Sequence, residues 1–399
     1  MATGTGNLGP PQRSAASRLN WNDPSFRAIL YQIIVLGLVA LTVWYLVSNL
    51  QANLKSRNIA TGFGFLGLEA GFGISESLVE YSPASTYGRA VFVGILNTLR
   101  VAVIGIILAT ILGTIIGVLR LSKNWLISKV CSAYVETLRN LPLLLQLFFW
   151  YAIITETLPS ARQALNPLPG IFLSQRGINF PVPAFGIAFD LILIGVALGL
   201  IGAVAFRIWA QKRQDRTGQQ SPVLLVAAGL ILGMPLLGWL LGGAPTEMSV
   251  PELRGFNFRG GASLSPEFAA LLIGLIAYTA AFIAEIVRSG ILAVTHGQTE
   301  AALALGLTRG QTLRLVVLPQ ALRVIVPPMT SQYLNITKNS SLAVAIGYPD
   351  VVSIANTAIN QTGQAIEGIA LIMAVYLSIS LGISLFMNWY NKHIALVER

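Results

Sequence analysis

Charged residues are scarce in this chain of 399 residues, because Asp, Glu, Lys and Arg make up only 11% of it while hydrophobic residues make up 54%. Soluble domains carry about 25% charged residues, so the composition indicates a membrane protein. The single cysteine, Cys131, excludes an internal disulfide and any site built from several cysteines. The two histidines, His296 and His393, lie far apart in polar loops without ligand-like neighbours, so no metal site is expected.

Motifs for nucleotide binding and catalysis are also missing. No GxxxxGK[ST] loop occurs, so the chain does not hold ATP in such a loop. A formal GxGxxG lies at Gly62–Gly67, but it falls between apolar runs rather than between a strand and a helix, so it does not predict dinucleotide binding. No Ser/His/Asp arrangement or close His/Glu pair stands out. The chain is therefore expected to be no enzyme and to bind no cofactor itself.

Long apolar runs dominate the sequence instead. A helix needs about 20 apolar residues to cross a bilayer, and eight runs meet or approach that length. They are Ala28–Leu50, Val101–Leu119, Leu141–Leu158, Gly186–Arg207, Val223–Leu241, Phe268–Val287, Val324–Ile346 and Gly368–Tyr390. The sequence predicts an all-α, polytopic membrane protein with about eight transmembrane helices, preceded by a polar, disordered tail over residues 1–27.

The basic residues predict the orientation of these spans. With both termini in the cytoplasm, 17 Lys and Arg residues fall on the cytoplasmic side and 8 fall outside, while Lys338 alone lies within a span. Cytoplasmic loops of membrane proteins are enriched in Lys and Arg, so this orientation is favoured. The net charge of +10 is then an orientation signal and not a sign of nucleic-acid binding.

The stretch Glu300–Pro319 is predicted to form two short helices between the sixth and seventh spans. Thr299 is placed to cap the first helix, since Thr side chains accept bonds from free backbone N–H groups of a first turn. Gly306 suits the end of that helix, where a left-handed residue is favoured. Thr308 and Gln311 fit a capping box for the second helix. The proline that ends the stretch should disturb this helix just before the next apolar run.

The same stretch carries a spaced motif: Glu300-Ala301-Ala302, then Gly306, then Val316 and Leu318-Pro319. It resembles the EAA loop of bacterial ABC importer permeases, with valine in place of the usual isoleucine. The flanking segments Tyr278–Ile291 and Ser331–Tyr348 resemble the polar amino-acid permeases. The whole chain is similar to the general L-amino-acid permease subunits of Gram-negative bacteria.

The resemblance implies a type I ABC importer permease in a bacterial inner membrane. It implies a cytoplasmic ATP-binding partner that uses ATP and Mg²⁺, a related second permease in a heterodimer, and a periplasmic amino-acid-binding protein. The expected ATPase-coupling residues are Glu300, Ala301, Ala302, Gly306, Leu307, Thr308 and Arg309. The expected parts are a tail at 1–27, an extra span and loop at 28–90, permease core at 91–157 and 266–399, and an insertion with two spans at 158–265.

Polar residues inside the spans are candidates for the substrate path. Lys338 is the clearest, because a charge within a bilayer costs about 3 kcal/mol on insertion scales. It lies with Asn335, Asn339 and Ser340 in a polar patch above Pro327-Pro328. An alternative is that Lys338 pairs with a carboxylate and only joins helices.

The start of the third span holds a second group. Glu136 and Arg139 are three residues apart, so they share a helix face and are able to pair. The block resembles a family segment whose helix lines the central cavity, and Gln146, which lies deeper, is the better lining candidate. The alternative for Glu136 is a salt bridge at the membrane interface. Glu285 and Arg288 are expected to support the elbow rather than to contact substrate. A stand-alone secondary transporter or channel remains the alternative function.

Overall fold

The structure is a computed structural model that describes residues 24–56, 61–183, 186–219, 221–244 and 247–394. The predicted tail at 1–27 lies largely outside these residues, and so does the side chain of His393. The chain is mostly helical, as predicted. Within the described ranges its α-helices are α1 (Pro24–Ser56), α2 (Tyr87–Leu119), α3 (Trp125–Asn140), α4 (Leu143–Ala152), α5 (Ile187–Thr217), α6 (Val223–Leu241), α7 (Pro266–Leu292), α8 (His296–Ala304), α9 (Arg309–Thr312), α10 (Leu318–Asn339), α11 (Val351–Thr362) and α12 (Ala365–Ile394).

Seven helical segments in the described chain are long and apolar enough to cross a membrane, or eight if one bent pair forms a single span. The predicted span Val223–Leu241 has the bounds of α6. Most of the other spans are longer than predicted, and α2 and α5 show the largest extensions at one end. Helix α2 begins 14 residues early because the Thr86 side chain accepts a bond from Arg89 N and caps it. Helix α5 continues ten residues past its predicted end, to Thr217.

The bent pair is the predicted third span. Helix α3 meets α4 and the π-helical turn Ile153–Thr157 at an angle of 106°. The turn falls at Leu141-Pro142, because Pro142 lacks the N–H that would continue α3. The predicted span, Leu141–Leu158, covers only the second half of this unit, although Glu136 and Arg139 at the end of α3 are correctly predicted to be helical. The start of α3 is not predicted, because its apolar run is too short to signal a span.

The hydrophobic core lies among α2, α4, α7, α10 and α12. Helix α7 is its centre, with Leu271, Leu275 and Ile283 fully buried. Tyr348, in the connection between α10 and α11, is the largest fully buried side chain among the described residues, and its ring lies tilted against that of Phe268 with 5.6 Å between the ring centres. A 3-10 helix, Ser340–Ile346, follows α10 and extends the seventh span to its predicted end.

Short strands, which the sequence analysis did not predict, frame the inserted hairpin α5–α6. They are β1 (Leu165–Leu168), β2 (Ile171–Ser174), β3 (Gly177–Phe180), β4 (Val182–Pro183), β5 (Met248–Ser249), β6 (Glu252–Arg254), β7 (Asn257–Arg259) and β8 (Ala262–Leu264). All pair antiparallel, in the orders β1-β2-β3-β8, β4-β5 and β6-β7. Strand β3 precedes the hairpin and β8 follows it. Their pairing therefore brings the two ends of the insertion together beside the start of α7.

The hairpin itself is held by close backbone contact. Helices α5 and α6 pack chiefly against each other. A Cβ added at Gly238 would lie 2.3 Å from the carbonyl oxygen of Leu191, so only glycine fits there. Small residues allow membrane helices to approach closely in this way.

The segments Arg176–Phe180 and Arg254–Phe258 share the pattern Arg-Gly-x-Asn-Phe, which suggests similar loop geometry. Both segments do form hairpins, but their registers differ. Ser174 pairs with Gly177 in the first hairpin, whereas Arg254 pairs with Asn257 in the second. The turn therefore precedes the glycine in one case and contains it in the other, so the similarity does not reflect a repeated structure.

Candidate functional site

The elbow between α7 and α10 forms two short helices, as predicted, but the first begins earlier. Helix α8 starts at His296, and Thr295 occupies its cap position without a side-chain cap bond. The prediction that Thr299 caps the helix is wrong, because Thr299 lies within it. The earlier start places His296 one turn before Glu300, and His296 Nδ1 lies 2.9 Å from Glu300 Oε1.

Gly306 ends α8 in the predicted left-handed conformation, with φ of 82°. Gly306 N donates to Leu303 O at 2.9 Å, and Leu307 N donates to Ala302 O at 3.2 Å. These two bonds form a Schellman motif, which satisfies carbonyls at a helix end. Ala302 is buried beneath this turn, with 4% exposure. The motif thus fixes the direction in which the chain leaves α8.

Helix α9 starts with the predicted capping box. Gln311 N donates to the Thr308 hydroxyl at 3.4 Å, and Thr308 N donates to Gln311 Oε1 at 2.9 Å. After four residues the helix widens into a π-helical turn, Leu313–Val317, and Pro319 lies in the first turn of α10. The predicted disturbance is therefore a change of helix type rather than a break.

Exposed leucines form the outer surface of the elbow. Leu305 is 83% exposed and Leu303 is 42% exposed, while Leu313 and Leu315 are also exposed on the following turns. Sequence reasoning missed Leu305. The sequence signal that could have identified Leu305 is its position directly before Gly306. The chain changes direction at this left-handed residue, and the side chain of Leu305 points outward. An apolar surface on a polar-rimmed elbow is typical of a protein interaction site.

A cluster of three charges supports the base of the elbow. Glu285 Oε1 accepts from Arg288 at 2.6 Å, and Glu285 Oε2 pairs with Arg120 at the end of α2. Arg120 Nε also donates to Ser132 in α3 at 3.3 Å. The predicted supporting role of Glu285 and Arg288 agrees with this geometry. The role of Arg120 was missed, because it depends on a contact between residues 165 positions apart.

The polar patch on α10 presents one face to its surroundings. Ser331, Asn335 and Lys338, spaced i, i+4 and i+7, are all exposed, whereas Asn339 is half-buried and Ser340 is buried. Ser340 donates its hydroxyl to the carbonyl of Thr337 at 2.7 Å. Within the described residues Lys338 forms no ion pair. No carboxylate among the described residues therefore pairs with Lys338 in the way that the alternative interpretation required.

Gln146 differs from its prediction as a cavity-lining residue. Its side chain is 5% exposed, and Nε2 donates to the carbonyls of Leu138 at 2.9 Å and Leu141 at 3.1 Å. These carbonyls end α3, where no further helical N–H is available to them. Gln146 therefore stabilises the bend between α3 and α4. Its Oε1 is buried and has no partner in the described chain.

Glu136 and Arg139 are both exposed, but they do not pair with each other in the described structure. The Arg139 guanidinium instead lies 5.1 Å from the centre of the Phe282 ring in α7. Helix α4, which carries Gln146, contacts the 3-10 segment that holds Ser340, whereas Glu136 and Arg139 lie on α3, which packs chiefly against α7.

A second polar cluster, which the sequence analysis missed, lies where α11 begins. The Asp350 carboxylate is 1% exposed; it accepts from Ser353 N at 2.8 Å and from the Tyr376 hydroxyl at 3.3 Å. Burial raises the pKa of Asp350 to about 7, although the hydrogen bonds that the carboxylate accepts act to lower the pKa. Nearby, Asn97 Nδ2 donates to the carbonyls of Glu76 and Pro349, both at 2.9 Å. The cluster therefore joins the loop before α2 to the start of α11.

Comparison with known proteins agrees with this architecture. Residues 218–396 match the family described as the inner membrane component of binding-protein-dependent transport systems. The chain is 52% identical to YhdX of Escherichia coli, named as a candidate amino-acid ABC transporter permease, over 96% of this chain and 97% of that protein. It is 49% identical to the general L-amino acid transport system permease AapQ of Rhizobium johnstonii, over 94% of each chain.

A third relative is BztB of Rhodobacter capsulatus, named as a permease for glutamate, glutamine, aspartate and asparagine. The two sequences are 43% identical over 98% of this chain and 99% of BztB. At these identities and coverages the chain belongs to the ABC transporter permease family. It is a multi-pass inner-membrane protein and a non-catalytic transport subunit.

Proposed function

We propose that this chain is a permease subunit of an importer that moves L-amino acids across the bacterial inner membrane, with both termini in the cytoplasm. The names of the three relatives support the substrate class. They support an importer subunit and not a stand-alone secondary transporter. The observation that carries the coupling role is the elbow, which displays Leu305 on a turn fixed by a Schellman motif and a capping box.

The elbow is built to transmit force from a soluble partner. Its second helix continues through the π-helical turn directly into α10, which carries the polar patch. Gln320 Nε2 donates to Gln298 Oε1 at 3.3 Å, so α8 is tied to the same helix. A push on α8 or α9 therefore reaches α10. The coupling surface consists of Glu300, Ala301, Gly306, Leu307, Thr308 and Arg309, with Ala302 packed beneath and Leu305 added from the structure.

The substrate path follows the exposed face of α10. An amino acid carries both an ammonium and a carboxylate, so a permissive site needs groups that bind these common parts. Lys338 supplies a cation, and Asn335 and Asn339 supply amide donors and acceptors. An unpaired Lys338 in the membrane requires water or another chain beside it, which a path between two permease subunits provides. Glu136 and Arg139 complete the proposed lining.

The remaining subunits follow from this assignment. A related second permease faces α10 in a heterodimer, and a periplasmic amino-acid-binding protein delivers substrate. Cytoplasmic ATP-binding subunits use ATP and Mg²⁺ and contact the elbow. This chain supplies no groups for nucleotide chemistry in the proposal; its part is to bind, to move and to open the path.

The test is a Gly306→Pro variant, measured by co-purification of the ATP-binding subunit and by amino-acid uptake. Proline is restricted to φ near −65°, so it is incompatible with a φ of 82°. Gly218→Pro is a matched control, because Gly218 also has a positive φ, of 71°, and open space around it, but ends α5 instead. We expect Gly306→Pro to lose both the subunit and uptake while Gly218→Pro keeps both. Retention of both by an inserted Gly306→Pro chain contradicts the proposal.

A further inference from the structure

Helix α5 is longer than a membrane span requires. Its 31 residues extend about 46 Å at 1.5 Å per residue, whereas the hydrocarbon core of a bilayer is about 30 Å thick. The final turns therefore lie at or beyond the lipid headgroups. Four cations fall in this part, Arg207, Lys212, Arg213 and Arg216, against the single carboxylate of Asp215.

Three of these cations share one side of the helix with an aromatic residue. Trp209, Lys212, Arg213 and Arg216 are spaced i, i+3, i+4 and i+7, which places them in one stripe. All four are exposed, Trp209 by 50%. The buried positions of this part of α5, Ala203 and Ala210, are not in the stripe. The basic stripe, Trp209–Arg216, therefore faces away from the packing of the hairpin.

Among the described residues, the cations of the stripe contact aromatic and amide groups rather than carboxylates. The Arg213 guanidinium lies 5.3 Å from the centre of the Trp209 ring, and Phe206 packs against the same indole at 5.4 Å. Arg213 also donates to Gln219 Oε1 at 3.1 Å. In the described part of the chain no cation of the stripe forms an ion pair. Tryptophan is enriched at membrane–water interfaces, so Trp209 marks the headgroup depth.

An exposed apolar face of α5 leads to the stripe. It consists of Leu200, Ile201, Val204, Ala205 and Ile208. Ile201 and Val204 are 65% and 59% exposed, and Ile208 precedes Lys212 by one turn. Apolar side chains at membrane depth are thus continuous with cations at headgroup depth. This order matches the two parts of a phospholipid, an acyl chain and a charged headgroup, better than it matches an acidic protein surface.

We propose that the basic stripe of α5 binds the phosphate headgroups of anionic phospholipids, whose acyl chains lie along the adjoining apolar face of the helix. Clusters of Lys and Arg next to a membrane helix attract anionic lipid, and arginine binds phosphate oxygens in a bidentate manner. The inserted hairpin then has a role as a lipid-binding element attached to the permease core. This role goes beyond the proposed transport function and does not depend on which substrate is carried.

The test uses the fluorescence of Trp209 in the full-length chain, reconstituted in vesicles of phosphatidylcholine mixed with phosphatidylglycerol. Bromine is placed on the acyl chains of one lipid or the other, and the Trp209 signal is the difference between the wild type and Trp209→Phe. We expect brominated phosphatidylglycerol to quench Trp209 several times more than an equal amount of brominated phosphatidylcholine. The preference should disappear in Lys212→Gln/Arg213→Gln/Arg216→Gln and weaken with salt, which screens exposed charges.

Two further variants separate charge from folding. Lys212→Arg/Arg213→Lys/Arg216→Lys keeps the charges and should keep the preference. Arg162→Gln/Arg254→Gln/Arg259→Gln removes three charges near the strands instead and should also keep it. Equal quenching by the two lipids in the wild type overturns the proposal, and so does a wild-type preference that salt does not weaken. If the two lipids quench the wild type equally and the variant Lys212→Gln/Arg213→Gln/Arg216→Gln loses the ATP-binding subunit, the stripe binds protein instead of lipid.

Discussion

Helices α7 and α6 are both apolar enough to span a membrane, yet their surroundings are opposite. Of the most apolar stretch of α7, 56% is buried within the chain, against 6% for α6. Helix α7 packs against α2, α3, α4 and α10, whereas α6 packs chiefly against α5. Hydropathy therefore identifies the helices that enter the membrane, but it does not tell which of them form the bundle.

Polar contacts with distant segments accompany the burial of α7. Glu285 joins α7 to α2, the Tyr134 hydroxyl donates to the carbonyl of Ala277 at 2.8 Å, and the Tyr151 hydroxyl donates to Glu267 at 3.2 Å. The hairpin α5–α6 relies on close contact between its own backbones and on the strands at its ends. The core is thus fixed from both ends, while the insertion is a module attached at one place.

The largest effect is expected from the ion cluster of the core. Glu285→Ala leaves Arg120 and Arg288 without their carboxylate in a partly buried site, and we expect a loss of about 3 kcal/mol in unfolding free energy. Glu252→Ala is the matched control in the insertion, since Glu252 and Arg254 are about two-thirds exposed and such pairs contribute below about 1 kcal/mol. Thermal unfolding in detergent measures both. If Glu285→Ala lost no more unfolding free energy than Glu252→Ala, the stability of the core would not depend on this cluster.

The hairpin should fail independently of the core. Gly238→Leu inserts a side chain where a Cβ already meets the Leu191 carbonyl at 2.3 Å, and overpacking of this kind costs about 1–3 kcal/mol. Gly229→Leu, on the same helix with open space around it, is the control. The distribution of distances between spin labels at positions 214 and 224 should broaden only in Gly238→Leu. The variant should still assemble with the second permease. Loss of the second permease would mean that the hairpin is not a separate module.

Gln146 and Lys338 were predicted together, and the structure separates them. Gln146→Ala removes two bonds to partly buried carbonyls at the α3–α4 bend, so we expect it to lower stability by about 2 kcal/mol. Lys338→Ala should lower uptake while leaving the unfolding temperature nearly unchanged, because Lys338 is exposed and unpaired within the described chain. Unfolding temperature and uptake are measured on both variants. A loss of stability in Lys338→Ala, with lower uptake but normal stability in Gln146→Ala, would contradict the prediction.

The smallest effect concerns pH. The folded chain keeps a proton on Asp350 up to about pH 7, whereas the unfolded chain releases it near pH 4. Folding therefore gains from protonation, and stability should fall as pH rises from about 4 to about 7, by about 1 kcal/mol between pH 6 and 7, and should level off above pH 7. Asp350→Asn retains a good helix cap and should flatten this slope. An unchanged slope in the variant would assign the pH dependence to another group.

Local rules of the sequence predicted the elbow well. The capping box at Thr308 and the left-handed Gly306 are fixed by neighbours within a few residues, so both were confirmed. The start of α8 was missed because Thr295 and Thr299 are both acceptable caps, and the choice between them depends on packing. Helix α6 was placed correctly, since its apolar run is bounded by Pro222 and by Gly242-Gly243.

Features that depend on distant contacts were not predictable in the same way. Gln146 reads as a polar residue in an apolar helix, and only the 106° bend shows that its amide completes the end of α3. Arg120 and Asp350 gain their roles from partners far along the chain. The strands of the insertion have two to four residues each, too short for an alternating pattern to appear.

The most direct test of the coupling role is photo-crosslinking from the tip of the elbow. A photoreactive residue at position 305 replaces the most exposed leucine of the elbow, and one at Leu253, an exposed leucine of the inserted strands, serves as the control. The coupling role predicts that position 305 crosslinks to the ATP-binding subunit of the assembled importer and that position 253 does not. Active uptake without any crosslink from position 305 would contradict it.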